Sequence, residues 1–172
     1  MNKNINIQNK KEAIESLEEL RKKKYVLSDV KFENVHLMKL NHKTYKNTFS
    51  KNDLYANTVS LWELMQPQGN KGSHNYHGLT PEDIVNALTN ITEPYCILKT
   101  EASQYAILGT TISHFEEPLF VVIEVKGSLN TNINANVNKL VTMFPMSDIE
   151  RTLKNTDPKN VLYLKNKSPS NR

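Results

Sequence analysis

His77 is the residue whose type and setting best suit chemistry in this chain. It stands three residues ahead of Thr80, where Thr80 fits a helix N-cap, Pro81 the first helical position and Asp83 the third. Free N–H groups at such a helix start attract anions, and the local positive potential favours a neutral imidazole, the form a general base requires. His74 adds a His-x-x-His spacing. Two imidazoles without a third ligand do not define a metal site, and His74 by itself reads as a loop histidine.

Other polar residues sit where a phosphate-handling site would use them. Asn138 and Thr142 are four apart in a β-rich run, which places them on one face of a strand with Leu140 between them. The same pattern fits an ordinary solvent-facing edge. Lys99 and Thr100 close the run Cys96-Ile97-Leu98-Lys99-Thr100 and offer a cation to neutralise a phosphate and a hydroxyl to bond it. His114 precedes Phe115-Glu116-Glu117-Pro118 and reads as a surface residue of a hairpin turn. His36 and His42 have no chemical neighbours in sequence. The single cysteine, Cys96, excludes an internal disulfide and a multi-cysteine zinc site, and its apolar neighbours predict a buried thiol.

The elements that must carry these residues follow from periodicity. The first eight residues are polar and expected to fray, and residues 9–24 repeat helically through Ala13, Ile14, Leu17 and Leu20. The Arg21-Lys22-Lys23-Lys24 run suits the C-terminal end of that helix, where cations complement the dipole. An extended segment is expected over 25–40, then a helix starting near Ser50-Lys51-Asn52-Asp53 with Trp62 in the core and a loop from Gln66 to Tyr76. After the Thr80-capped helix come strands near 94–100, 104–112 and 118–126, the last reading as central. A strand over 137–144, a helix opened by Ser147-Asp148-Ile149-Glu150 and a strand over 160–165 complete the pattern.

A chain of 172 residues is ordinarily one domain with one core. The order predicts an α+β fold in which N-terminal helices precede a four- to five-stranded, mostly antiparallel sheet. Residues 1–50 form an amphipathic helix and an extended segment of unassigned role, 51–166 the main α+β domain, and 167–172 a disordered tail. No run approaches the ~18 apolar residues that span a bilayer, and no signal-peptide core stands at the N-terminus, so no membrane partner is expected. The location is read as cytoplasmic, or the cytoplasm of a target cell after delivery. Residues 1–50 carry eleven Lys/Arg against six Asp/Glu, residues 51–144 five against nine, and 145–172 six against three. Positive charge thus gathers at both ends, which suits RNA as well as it suits solvated helix faces.

Several of these segments, taken in order, resemble the phage MuF C-terminal domains and their phage-type barnase–EndoU–colicin–RelE-like nuclease relatives. The resemblance rests on His77-Gly78-Leu79-Thr80, Glu93-Pro94-Tyr95-Cys96-Ile97-Leu98-Lys99-Thr100 and the central strand ending at Val125. Asn138-Lys139-Leu140-Val141-Thr142-Met143-Phe144 and Val161-Leu162-Tyr163-Leu164-Lys165 complete it. It covers about residues 55–166 and implies a barnase/EndoU/RelE-like sheet and a metal-independent endoribonuclease without a cofactor, used as a toxin or in phage–host conflict. His77 would be general base or acid, and Thr142, Asn138 and Thr100 donors around the scissile phosphate. Lys99, His74, Lys139 and Tyr163 would bind RNA, and an immunity protein or antitoxin would be a partner.

Two other readings belong to different classes. A module of the same fold without catalysis would bind RNA or protein and leave RNA uncut. A phage structural or inhibitor protein would use the 9–24 helix as its working surface.

Overall fold

The computed structural model describes residues 4–23, 33–49, 51–68, 75–101, 103–128 and 136–165. The helix expected first is α1 (Lys10–Arg21), capped by the Asn9 side chain, which accepts from the Glu12 N–H. Its buried stripe is Ala13, Leu17 and Leu20, and it packs against α3 (Thr58–Leu64) and α4 (Pro81–Asn90). Burying each such leucine is worth roughly 1.5–3 kcal/mol. The described residues ahead of α1 do not fray as expected. Ile5 and Ile7 are buried, and their N–H groups donate to the His36 and Leu37 carbonyls at 3.1 and 3.3 Å. An alternating Ile-x-Ile in a polar stretch was signal enough to anchor them.

The strands are β1 (Asn34–Lys39), β2 (Asp53–Asn57), β3 (Cys96–Lys99), β4 (Gln104–Ile112), β5 (Pro118–Ser128), β6 (Asn136–Pro145) and β7 (Val161–Leu164). Among the described residues they form one sheet of seven strands in the order β1-β2-β6-β5-β4-β3-β7. Every neighbouring pair is antiparallel except β2 with β6, so the fold is α+β with a mixed sheet. The expected four to five strands were too few because the N-terminal segment joins the sheet through β1 and β2. Residues 53–57 were expected to be helical, since Leu54 and Leu61 match a helical stripe. Instead Leu54 and Ala56 alternate into the core and the helix starts later, where the Asn57 side chain accepts from the Val59 N–H at 2.8 Å. A short helix, α2 (Lys43–Thr48), was not anticipated. The last helix, α5 (Ile149–Asn155), is capped by Asp148 rather than Ser147, because β6 runs on to Pro145 and delays its start.

Alternation divides the sheet into two faces. Ile97, Ile107, Val121, Ile123, Leu140 and Met143 pack with α1, α3 and α4 in the main core. Cys96, Leu98, Ala106, Leu108, Phe120 and Val122 form a second cluster on the outer face, joined by Phe144, Met146, Ile149 and Leu153. Cys96 is fully buried, and burial pushes its thiol up to about 12. Gly109 has a steric reason. A Cβ there would lie 2.7 Å from the Asn90 Cβ, so only glycine lets β4 pass this close to the end of α4.

One irregularity governs the site. Val122 pairs with Thr142, yet the next residue, Ile123, pairs with Leu140, so Val141 is an extra residue in β6. The bulge explains why Leu140 and Met143, three apart, share the helix-covered core.

Candidate functional site

His77 is held by its own backbone neighbours. The Gly78 N–H donates to the Gln66 carbonyl at 2.7 Å and the Leu79 N–H to the Leu64 carbonyl at 3.0 Å, pinning the segment to the end of α3. Gly78 takes φ +63°, a left-handed conformation that glycine adopts without strain. Thr80 then caps α4 in a capping box. Its side chain accepts from the Asp83 N–H at 3.1 Å, and its own N–H donates to Asp83 Oδ2 at 3.0 Å.

The structure brings together one pair from the expected set. Thr142 Oγ1 lies 3.3 Å from His77 Nε2, a contact between residues 65 apart in sequence. β2 pairs with β6 only at Leu54–Asn138 and Tyr55–Lys139, so beyond Lys139 that edge of β6 is free for the His77 segment to approach. Both residues are half-buried, and burial lowers the His77 pKa below the ordinary imidazole value. The ring is therefore biased to its neutral form. With its proton on Nδ1, it accepts the Thr142 hydroxyl at Nε2, the lone pair a general base would use.

Asn138 does not join this pair. The bulge reverses the alternation between it and Thr142. Asn138 shares the phase of Leu140, whereas Thr142 stands opposite Val122 of the outer-face cluster. Asn138 is 1% exposed, and its side-chain amide donates to the Lys51 carbonyl at 2.5 Å. It braces β6 against the chain entering β2 and is not free to bond a phosphate.

Thr100 and Lys99 stand apart from the pair as well. The cross-strand row Thr142–Val122–Ala106–Leu98 spans three strand spacings, about 14 Å, and Thr100 lies two residues beyond Leu98. The Thr100 hydroxyl donates to the Gln104 carbonyl at 3.3 Å. Lys139 is half-buried in register with Glu124 and Tyr55. Tyr163 packs against the helix-side core, its ring edge-on to His42 at 4.9 Å. His74 lies outside the described residues. Among the described residues no three His, Cys, Asp or Glu side chains gather into a group that could hold a metal ion.

A second imidazole is positioned where only a turn was expected. Asp83, 5% exposed, accepts the His114 N–H on Oδ1 at 2.9 Å and bonds His114 Nδ1 through Oδ2. Burial pushes this carboxyl up. The bonds from the Thr80 N–H and from the His114 ring and N–H outweigh burial and leave it below the usual value. A carboxylate on Nδ1 fixes that nitrogen as the donor and leaves Nε2 for other partners, on a side chain that is 42% exposed. The Phe115 ring lies against the His114 ring at 3.8 Å and reaches to 3.7 Å from a Cβ built on Gly78, the residue after His77. Both imidazoles are thus tied to the short segment from His77 to Asp83. The sequence held a partial sign of this, a carboxylate at the third position of α4. Its histidine lies 31 residues away, a separation no local spacing reveals.

No helix of the described residues is long and apolar enough to cross a membrane. No family model, curated protein or solved structure matches this chain.

Proposed function

We propose that the chain is a metal-independent endoribonuclease that cleaves RNA by attack of the 2′-OH on the adjacent phosphate, serving as a toxin or phage–host conflict effector. The observation that carries the reading is the His77 Nε2–Thr142 Oγ1 contact at 3.3 Å, since the family resemblance nominated both residues from distant segments. His77, biased to the neutral form, takes the 2′-OH proton. Thr142 orients that imidazole and donates to a phosphate oxygen when substrate displaces it. His114, when its ring carries both protons, gives the one on Nε2 to the departing 5′-oxygen while Asp83 holds the Nδ1–H. The products are a 2′,3′-cyclic phosphate and a 5′-hydroxyl, and solvent exchange restores both imidazoles. The need for a 2′-OH makes DNA inert. RNA is the partner, with an immunity protein or antitoxin as its regulator, in the cytoplasm of the producing or the target cell.

The test is incubation of purified protein with RNA in EDTA, followed by end analysis. Cyclic phosphate ends, lost in His77→Ala, are the expected result. Full activity in that variant sinks the assignment of the base.

A second reading has its own support. Of the four side chains nominated for catalysis, Asn138 is committed to Lys51 and Thr100 lies across the sheet, so the expected phosphate cage is not assembled. A non-catalytic module on the same scaffold would bind RNA or protein and leave RNA intact. Gel-shifted but uncut RNA would favour it.

A further inference from the structure

The outer face of the sheet carries a cleft of about 470 Å³. Its floor includes Phe120 and Phe144, whose rings are 5.9 Å apart, and its rim includes Lys99, Thr100, Asn155 and Asn160. That volume lies within the ~300–1,000 Å³ common for small-molecule sites. Three of these four rim groups are chemically available, Thr100 being bonded to the Gln104 carbonyl. The Lys99 ammonium and the side-chain amides of Asn155 and Asn160 make no hydrogen bond or ion pair with the described residues, while Thr152, Thr156 and Asp157 beside them are already engaged. The cleft also adjoins the site described above. Phe144 follows Thr142 by two residues on β6, and the Phe144–Phe120 row lies next to the Thr142–Val122 row on the same face.

We infer that this cleft seats the base of a nucleotide flanking the scissile phosphate of single-stranded RNA. The half-buried Phe144 ring supplies a stacking surface, and the Asn155 and Asn160 amides each offer a donor pair and an acceptor to the base edge. Lys99 meets the phosphate of the flanking nucleotide, which accounts for its distance from Thr142. The cleft thus sets base preference, and the two imidazoles set the bond that breaks. This inference rests on the ribonuclease reading, and two separate readouts keep them apart.

The experiment measures binding of uncleavable 2′-O-methyl oligonucleotides of each base composition, and cleavage of the matching RNAs. Phe144→Ala should weaken binding of every sequence by about tenfold. Phe144→Leu, which keeps apolar volume in the cluster, should weaken it similarly while holding the fold, checked by melting temperature. Asn155→Ala with Asn160→Ala should level the affinities among bases. Unchanged affinity and unchanged base preference in folded variants overturn the cleft assignment, even if RNA is still cut. Failure of the wild type to bind any oligonucleotide overturns it too. Binding through Phe144 without cleavage keeps the cleft and sinks the ribonuclease reading.

Discussion

His77 and His114 are both tied to the start of α4, yet their surroundings differ in kind. His77 is half-buried beside a neutral hydroxyl, and desolvation alone lowers its pKa. His114 is more open, and its Nδ1 faces a buried carboxylate that also anchors the backbone of its turn. The contrast is that of a ring biased toward its neutral form by burial and a ring whose orientation is fixed by a carboxylate. A capping box, ordinarily a device for starting helices, here supplies the carboxylate for the second imidazole.

Five variants and a pH profile break or sharpen the contrast. The largest effect is expected from His77→Ala, a loss of about 10²–10⁴-fold in the initial rate of RNA cleavage. His114→Ala should fall near the lower end of that range, about 10²-fold. Equal rates for His114→Ala and wild type would strip the second imidazole of any chemical part and leave it a latch for the β4–β5 turn.

The pH profile comes next. A lowered His77 pKa keeps the base neutral until the medium is more acidic than about pH 6.5, the ordinary imidazole value, so the acid limb of kcat/KM should lie below that point. Stability should follow the same sign. The unfolded chain binds the His77 proton first, so folding weakens as pH falls from about 6.5 to the lower folded value, and His77→Gln should remove that slope. The Asp83 carboxyl works over a more acidic window. Its folded pKa is depressed, so its contribution is present above the ordinary carboxylate value and is lost as pH falls through the folded one. Asp83→Asn should melt at lower temperature at neutral pH, by an amount near 1–3 kcal/mol, and the gap to wild type should close in acid. A gap that stays constant with pH would mean the carboxylate charge is not engaged. The smallest effect belongs to Thr142→Val. Losing one neutral hydrogen bond of about 1 kcal/mol should slow cleavage roughly fivefold, measurable as kcat at saturating RNA.

Periodicity made much of the architecture legible. The Leu17–Leu20 stripe, the Thr80 cap, the continuous Leu119–Val125 strand at the centre of the sheet and the buried Trp62 and Cys96 all stand where composition and spacing put them. What escaped was set by tertiary contact. β2 is short, and its Leu54 also fits a helix. It becomes a strand because β1 and β6 offer backbone partners on either side. Asn138 and Thr142 were placed on one face by a rule that assumes an unbroken pleat, and the bulge at Val141 breaks it. His114 read as a turn because the carboxylate that orients it is remote in sequence. His77 could be singled out as a candidate because its setting, just ahead of a capped helix, is entirely local.

The extra residue in β6 carries an implication for how this chain can vary. Deleting Val141 would leave a regular pleat in which the hydroxyl now at 142 follows Leu140 directly and keeps the outer face opposite Val122. A strand that kept Val141 but lay flat would instead turn that hydroxyl into the packed interior beneath α3 and α4, away from the imidazole that meets it. The reach of Thr142 to His77 therefore depends on where β6 carries its spare residue as well as on residue identity. A substitution that flattens the bulge would part the two while leaving both in place.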